Sequence, residues 1–344
     1  MKEAVLLINL GTPEVPTPAK VGTYLTEFLN DKRVIDIHPV ARFILVNLII
    51  VPFRRFKSSK LYQAIWTPQG SPLLLNSQAL KEKLQQKLGD EFVVELAMRY
   101  QQPSIRNVLE ALRKQRPSKI HVLPLYPQYA SSSTGSTLEE VLQRIKSWEV
   151  IPSLNLVSKF YDHPAFGEAL LTEAKKYDIP QYDHVLFSYH GLPERQIKKA
   201  SAHYGGNTCQ MNSCCDVITQ NNQYCYRANC FATTRGLVKA LAIPEGKYTT
   251  AFQSRLDDKW LKPFSDKVIE ELGKQGKKQV LVFSPAFVAD CLETLYEIGT
   301  EYNELFQEHG GEKITLVRSL NAQDSWVKAV EKIVLGDKSH LSHL

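Results

Sequence analysis

The chain has no GxGxxG turn and no GxxxxGK[ST] loop, so the usual marks of dinucleotide and nucleotide-phosphate sites are missing. It has no GxSxG elbow, which leaves serine hydrolysis poorly supported. No stretch approaches the ~20 continuous apolar residues needed to span a bilayer. The apolar N-terminal run, Ala4 to Leu10, is interrupted by Asn9 and is too short for a secretory signal; it reads as a first β-strand. Lysines and arginines are spread along the chain, so a net charge of +6 makes no nucleic-acid footprint, and no nucleic-acid partner is expected. Attraction to an anionic small molecule or an anionic membrane face stays open. Outside one stretch there is a single cysteine, Cys291. A cytoplasmic location is expected; there thiols stay reduced, and clustered cysteines point to metal rather than to disulfides.

What is present is ordinary in amount and specific in arrangement. The 344 residues, 43% hydrophobic and 23% charged, suffice for a core without staples and suggest two domains or two fused halves. Strand candidates are AVLLINL (4–10), FVVELAMRY (92–100), KIHVLPLY (119–126), LNLVSKF (154–160), HVLFSYH (184–190), YTTAFQS (248–254), QVLVFSPAF (279–287) and KITLVRS (313–319). Helical patterns such as SQALKEKLQQKL, SIRNVLEALRKQ and HPAFGEALLTEAKKY lie between them. The alternation predicts an α/β protein of two doubly wound halves with parallel sheets. We place the first half at 1–165, the second at 166–335 with a Cys-rich insertion at 205–230, and a tail at 336–344. In such sheets ligands sit at the carboxyl ends of the strands.

Functional residue types gather at those ends. Asn9-Leu10-Gly11, Arg99-Tyr100, Tyr126 to Thr137, Ser188 to Pro193 and Asp290 to Leu295 each come at or just after a strand's end. The Ser/Thr/Gly loop at 131–137 suits either a phosphate at a helix N-terminus or plain capping of the helix after it. His190, after an apolar strand and before Gly191 and Pro193, is either a packed ring or a base; its ordinary pKa near 6.5 suits proton transfer at neutral pH. Asp290, Glu293, Glu297 and Glu301 recur at helical spacing. They make either a solvated stripe or, since glutamates four apart repel and no lysine relieves them, a path for cations or protons.

The segment at 39–66, PVARFILVNLIIVPFRRFKSSKLYQAIW, is heavily apolar from Phe43 to Phe53 and carries Arg42, Arg54, Arg55, Lys57 and Lys60 around it. It reads either as a buried helix or as a flap with its apolar residues among lipid headgroups and its basic residues on anionic lipid.

Taken in order and spacing, NLGTPE, AMRYQQPSI, LPLYPQYASSSTGST, FSYHGLPER, AFQSR followed by Trp260, and FVADCLETLYEIGTEY resemble the ferrochelatase family, over about residues 4–330. The resemblance implies a class II chelatase-like fold of two Rossmann-like halves. The implied reaction is insertion of Fe²⁺ into protoporphyrin IX to form protohaem, the last step of haem biosynthesis. The long segment at 39–66 and the GSPL after it look more like enzymes using protoporphyrin IX than like those using coproporphyrin III. Two rivals are a non-catalytic haem or Fe–S binding protein on the same fold, and a chelatase placing cobalt in sirohydrochlorin. His190 matches the family's active-site histidine and Glu293 the glutamate opposite it, with His190, Asp290, Glu293, Glu297 and Glu301 on the iron path. Porphyrin contacts carried over are Leu10, Arg54, Arg99, Tyr100, Tyr126, Ser133, Trp260 and Phe287. Cys291 stands where animal enzymes have a histidine. The resemblance also implies peripheral contact with lipid at the inner face of the plasma membrane, with a homodimer left open.

Five cysteines lie between Cys209 and Cys230, with gaps of five, one, ten and five positions that fit no CxxC zinc knuckle. Four thiolates suit a [2Fe–2S] cluster or a tetrahedral zinc. Some bacterial ferrochelatases resemble this chain in carrying a [2Fe–2S] cluster in an internal insertion. Cys209, Cys225 and Cys230 are the expected ligands with Cys215, Cys214 being the alternative fourth and structural Zn the alternative metal.

Overall fold

The structure, a computed structural model, describes residues 2–211 and 213–336. Most of the expected tail at 336–344 lies outside the described residues. All eight expected strands form: β1 (Glu3–Gly11), β2 (Phe92–Tyr100), β3 (Lys119–Pro124), β4 (Ser153–Leu156), β5 (His184–His190), β6 (Tyr248–Gln253), β7 (Gln279–Phe283) and β8 (Lys313–Leu316). They build two four-stranded sheets, ordered β2-β1-β3-β4 and β6-β5-β7-β8, parallel throughout. Strands β3, β4, β7 and β8 end several residues before their apolar runs do, because the runs continue as loop after ladder pairing stops.

The chain divides into two compact units, one of residues 1–126, 131–159 and 321–344, the other of residues 127–130 and 160–320. They are not consecutive in sequence. The helix Asp324–Leu335, assigned by chain order to the second half, belongs to the first unit. There His121 on β3 receives it: the ring Nδ1 lies 3.0 Å from the Val334 carbonyl oxygen and Nε2 lies 2.7 Å from a Glu3 carboxylate oxygen.

Each sheet is buried on both faces, as parallel sheets with crossover helices must be. In the first unit Ala4, Leu6 and Ile8 of β1 pack with Val108, Leu109, Val122 and Val141. In the second, Val185, Phe187 and Tyr189 of β5 face one cluster with Phe252, Phe283 and Leu237. Leu186 faces the other, with Ala251, Val280, Val282 and Phe306. The period-2 alternation of strand side chains sends neighbouring β5 residues to opposite layers. Both sheets reverse strand order beside the first strand of their unit, β1 or β5. The crevice beyond that point, at the strands' carboxyl ends, is where doubly wound sheets bind ligands.

The segment at 39–66 forms a helical run: Pro39–Ile44, a wider π-turn stretch Leu45–Ile50, and Val51–Ile65. It is not a buried helix. Val40, Phe43, Ile44, Leu48, Ile49, Phe53 and Phe56 are all exposed, Phe53 at 76%. Among the described residues no helix is long and apolar enough to cross a membrane.

His184 opens β5 inside the core, its Nε2 2.9 Å from the Thr249 hydroxyl. Burial first, then the charges of Lys277 and Lys247, push its pKa down from 6.5 to about 4. The unfolded chain therefore takes up this proton more readily than the folded one. The His184 contribution is complete above pH 6.5 and is lost as pH falls toward about 4. Thermal melts of the wild type should fall across that window. His184→Asn should flatten the dependence, and equal slopes in both proteins would refute the assignment.

Candidate active site

In the second unit, His190 ends β5 and pairs in register with Gln253, the last residue of β6. Its Nδ1 lies 2.6 Å from the Gly191 carbonyl oxygen. A carbonyl only accepts, so Nδ1 carries a proton, and in the neutral form of the ring Nε2 keeps its lone pair. The Tyr226 hydroxyl holds the His190 carbonyl at 2.9 Å. Trp260 and Phe287 flank the ring, with centroids 6.5 and 6.4 Å away. Trp260 is brought there by bridging Pro193, and Leu261 N–H bonds the Leu192 carbonyl.

The turn after the histidine admits only glycine. A Cβ on Gly191 would lie 2.7 Å from the Gln253 carbonyl oxygen and 3.2 Å from the Trp260 ring. That carbonyl accepts the Gly191 N–H at 2.8 Å. Glycine here sets the spacing between the β5 and β6 ends.

Glu293, Glu297 and Glu301 lie on a π-helix, Glu293–Tyr302, rather than on the α-helix their spacing suggests, and Asp290 lies in the loop before it. Its i→i+5 bonding widens each turn, a feature that recurs at functional sites. Glu297 receives four donors. Ser254 N–H at 2.8 Å and Tyr302 Oη–H at 3.0 Å reach Oε1; Gln253 Nε2–H at 2.9 Å and Ser254 Oγ–H at 2.6 Å reach Oε2. Burial raises the Glu297 pKa, against the pull of the Ser254 and Gln253 bonds and of His190, with the Glu293 charge adding to the rise. Ser254 achieves this with φ 60°, a left-handed conformation that costs a non-glycine residue about 1–3 kcal/mol. Gln253 Nε2 also bonds the Glu293 carbonyl at 3.0 Å, and its Oε1 accepts from Ser188 at 2.8 Å. Gln253 and Ser254 lie in the AFQSR block of the resemblance, which gives a site role to neither. The available signal is their position at the end of the strand YTTAFQ.

The surroundings of the expected iron-path carboxylates differ. Asp290 is fully buried and ion-paired: Arg318 bonds Oδ2 at 2.8 and 2.7 Å, and Ser319 N–H reaches Oδ1 at 3.2 Å. It ties the stretch after β7 to that after β8. Glu301 is exposed. Cys291 is buried, and burial first, then the Glu293 charge, raises its thiol pKa, so it stays protonated beside the site.

In the first unit the expected porphyrin contacts share the strand-end position. Leu10 is half-buried, and Gly11 comes next with φ +117°, where a Cβ would collide with the Tyr100 carbonyl oxygen at 2.0 Å. Arg99 is committed to Asp31, a residue the motifs do not signal. Its guanidinium bonds Asp31 Oδ2 at 2.7 Å and Ser136 Oγ at 2.7 Å, and Tyr100 Oη–H reaches the same Oδ2 at 2.9 Å. Arg99, Asp31 and Ser136 line a polar hollow of about 340 Å³ with Arg42, Glu139 and Glu140. Burial raises the Tyr126 phenol, with the Thr137 bond and Arg99 pulling it down. Ser133 is half-buried in a π-turn, Ser131–Gly135, and Arg54 is exposed on the helix Val51–Ile65.

The cysteine stretch stands apart from the acidic row. Cys225 caps the helix Tyr226–Ala240, and Cys230 lies buried just over a turn inside it; Cys215 is buried in a short 3₁₀ turn, Ser213–Cys215. The thiols lie close enough to act on one another's charge. The bond from Cys215 first, with the Ala228 and Arg227 amides, pulls Cys225 down toward the thiolate, while burial first, with Cys214 among the causes, raises Cys209. Cys215 lies near Cys230 as well. Among the described residues no three His, Cys, Asp or Glu side chains gather around one metal-sized point.

A profile of the family described as Ferrochelatase matches residues 2–337. The chain belongs to the ferrochelatase family. It is similar to the ferrochelatase of Legionella pneumophila (strain Lens), 45% identical over 335 residues, 97% of this chain and 99% of that one. The ferrochelatase of Coxiella burnetii (strain CbuK_Q154) is 43% identical over 334 residues, 96% of this chain and 93% of that one. Among solved structures, SirB from Bacillus subtilis with Fe³⁺ matches at a TM-score of 0.53 and 13% identity, covering 99% of this chain and 98% of that one; at that identity it shows the shared fold alone.

The ferrochelatase turn at Gly191 sets a test. Gly191→Ala should displace the strand end that holds His190 and lower turnover by up to about 100-fold. Circular dichroism should show the fold retained, and an alanine variant with wild-type turnover would refute the close-approach argument.

Proposed function

We propose that this chain inserts Fe²⁺ into protoporphyrin IX to form protohaem. The observation that carries this reading is the Nε2 side of His190, flanked by two aromatic rings and near enough to the Glu297 carboxylate for their charges to interact. A porphyrin holds two N–H protons in its plane, and its nitrogens bind metal only after those leave. Balanced, one Fe²⁺ enters and two protons depart. His190 Nε2 accepts a pyrrole proton as base, and Glu293 delivers the metal. Apolar walls at Trp260 and Phe287 favour a bent macrocycle, whose exposed lone pairs are nearer the transition state. Imidazole and carboxylate hold Fe²⁺ loosely enough to release it, whereas thiolates would retain it. Leu10, Arg54, Arg99, Tyr100, Tyr126 and Ser133 complete the proposed porphyrin contacts. What supports all but Arg54 is their shared position at strand ends.

The exposed apolar row from Val40 to Phe56 supports peripheral attachment to anionic lipid at the inner face of the plasma membrane. Each such side chain gains roughly 1.5–3 kcal/mol on full burial, and Arg54, Lys57 and Lys60 are exposed on the same run. For the insertion, the mutual closeness of these thiols supports a [2Fe–2S] cluster on Cys209, Cys215, Cys225 and Cys230, with Cys214 as the alternative to Cys215 and structural zinc as the alternative metal. When bound, the group supplies one-electron redox chemistry and a cross-link between the 209–215 turn and the helix Tyr226–Ala240.

Three measurements check these statements. Anaerobic assays should show Fe²⁺ insertion into protoporphyrin IX faster than into coproporphyrin III. There His190→Ala and Glu293→Ala should each lower kcat by about 100-fold or more; near-normal turnover in either ends the role given to it. Replacing Phe43 and Phe53 together by Asp should release the protein from phosphatidylserine vesicles in co-sedimentation. Absorption and paramagnetic-resonance spectra of anaerobically purified protein should show [2Fe–2S] features that vanish in Cys225→Ala; a colourless protein with one zinc would refute the cluster.

A further inference from the structure

Glu297 sits in the row that sequence spacing gives to the incoming metal, yet its bonding is unlike that of a ligand kept ready. An ionised carboxylate offers about four lone-pair sites. All four are taken: Ser254 N–H and Tyr302 Oη–H on Oε1, Gln253 Nε2–H and Ser254 Oγ–H on Oε2, at 2.6 to 3.0 Å. The donors are themselves fixed. Gln253 is paired in register with His190, and its Oε1 is occupied by Ser188, which sets the amide with nitrogen toward the acid. Ser254 holds φ 60°, which aims both its N–H and its hydroxyl at one carboxylate. A side chain gripped from the end of β6 and from Tyr302 cannot swing to track a cation.

Resting on the ferrochelatase reading above, we propose that Glu297 serves as a fixed negative charge beside His190 and Glu293, held by the positioning residues Ser254, Gln253 and Tyr302, and never enters the coordination sphere of Fe²⁺. When a pyrrole N–H passes its proton to His190 Nε2, an imidazolium and a pyrrole anion form, and Glu297 offsets the new positive charge without moving. A donor-saturated anion stabilises developing charge with no reorganisation at the moment of transfer. Metal hand-over then falls to Glu293, since the imidazolium has no lone pair left for a metal. The acidic row thus divides by role: Asp290 anchors, Glu293 hands over, Glu297 holds charge.

The test uses the full chain. In crystals soaked with Co²⁺, the anomalous map should show no metal bonded to Glu297. Metal at coordination distance from either oxygen overturns the proposal, whether or not the chain turns over porphyrin. In turnover with Fe²⁺ and protoporphyrin IX, Glu297→Gln should lower kcat by about tenfold or more and leave KM for Fe²⁺ within about threefold. A KM raised beyond tenfold, or an unchanged kcat, overturns it. Ser254→Gly keeps a backbone N–H at positive φ and removes the hydroxymethyl side chain. It should lower kcat less than Glu297→Gln does, again with KM unchanged, and wild-type kcat would overturn the role of Ser254. A wild type that metallates no porphyrin sinks the chelatase reading alone, because the crystal result stands without turnover.

Discussion

Gln253 is where the second unit's chemistry is fastened together. Its backbone pairs with His190, its carbonyl receives Gly191, its amide oxygen takes Ser188, and its amide nitrogen reaches both Glu297 and the Glu293 carbonyl. Hydrogen bonds to charged groups contribute about 1.5–3 kcal/mol each, and an unmade buried one costs as much. A single amide satisfied on all sides therefore fixes the distance from the base to the acidic helix. The strained Ser254 and the obligate Gly191 are consequences of that junction, since both hold the chain where Gln253 needs its neighbours.

The same logic explains why residues of one chemical type behave differently along one helix and the loop before it. Asp290 is buried against Arg318, Glu297 is saturated with donors, and Glu301 is exposed. A buried carboxylate must be paired or hydrogen-bonded to persist. The surroundings assign the role, and the residue type only allows it.

The strand-end rule made most of the site legible. Parallel strands read as apolar runs, and a doubly wound sheet binds its ligands where those runs stop; Leu10, Arg99, Tyr100, His190 and Glu293 are placed by that alone. Asp31 is not, because it lies in a loop after a helix, far in sequence from the Arg99 it neutralises. Gln253 and Ser254 stand at a strand end and inside the AFQSR block, but an amide and a hydroxyl carry no charge that would pick them out from their neighbours as holders of Glu297. The two readings of the segment at 39–66 were separable only by exposure, because an apolar helix looks the same in sequence whether it is covered or bare.

By itself the sequence determined the eight strands, the parallel α/β architecture, the histidine at the end of β5 and the acidic row. These depend on local periodicity and on residue type, which a linear string records. Only the tertiary structure decided that the row is wound as a π-helix, that Asp290 belongs to Arg318, that Glu297 is full, and that the helix Asp324–Leu335 packs with the first unit. Those depend on which distant groups arrive within hydrogen-bonding range, and a carboxylate's partners are set by the fold and not by its neighbours in the chain.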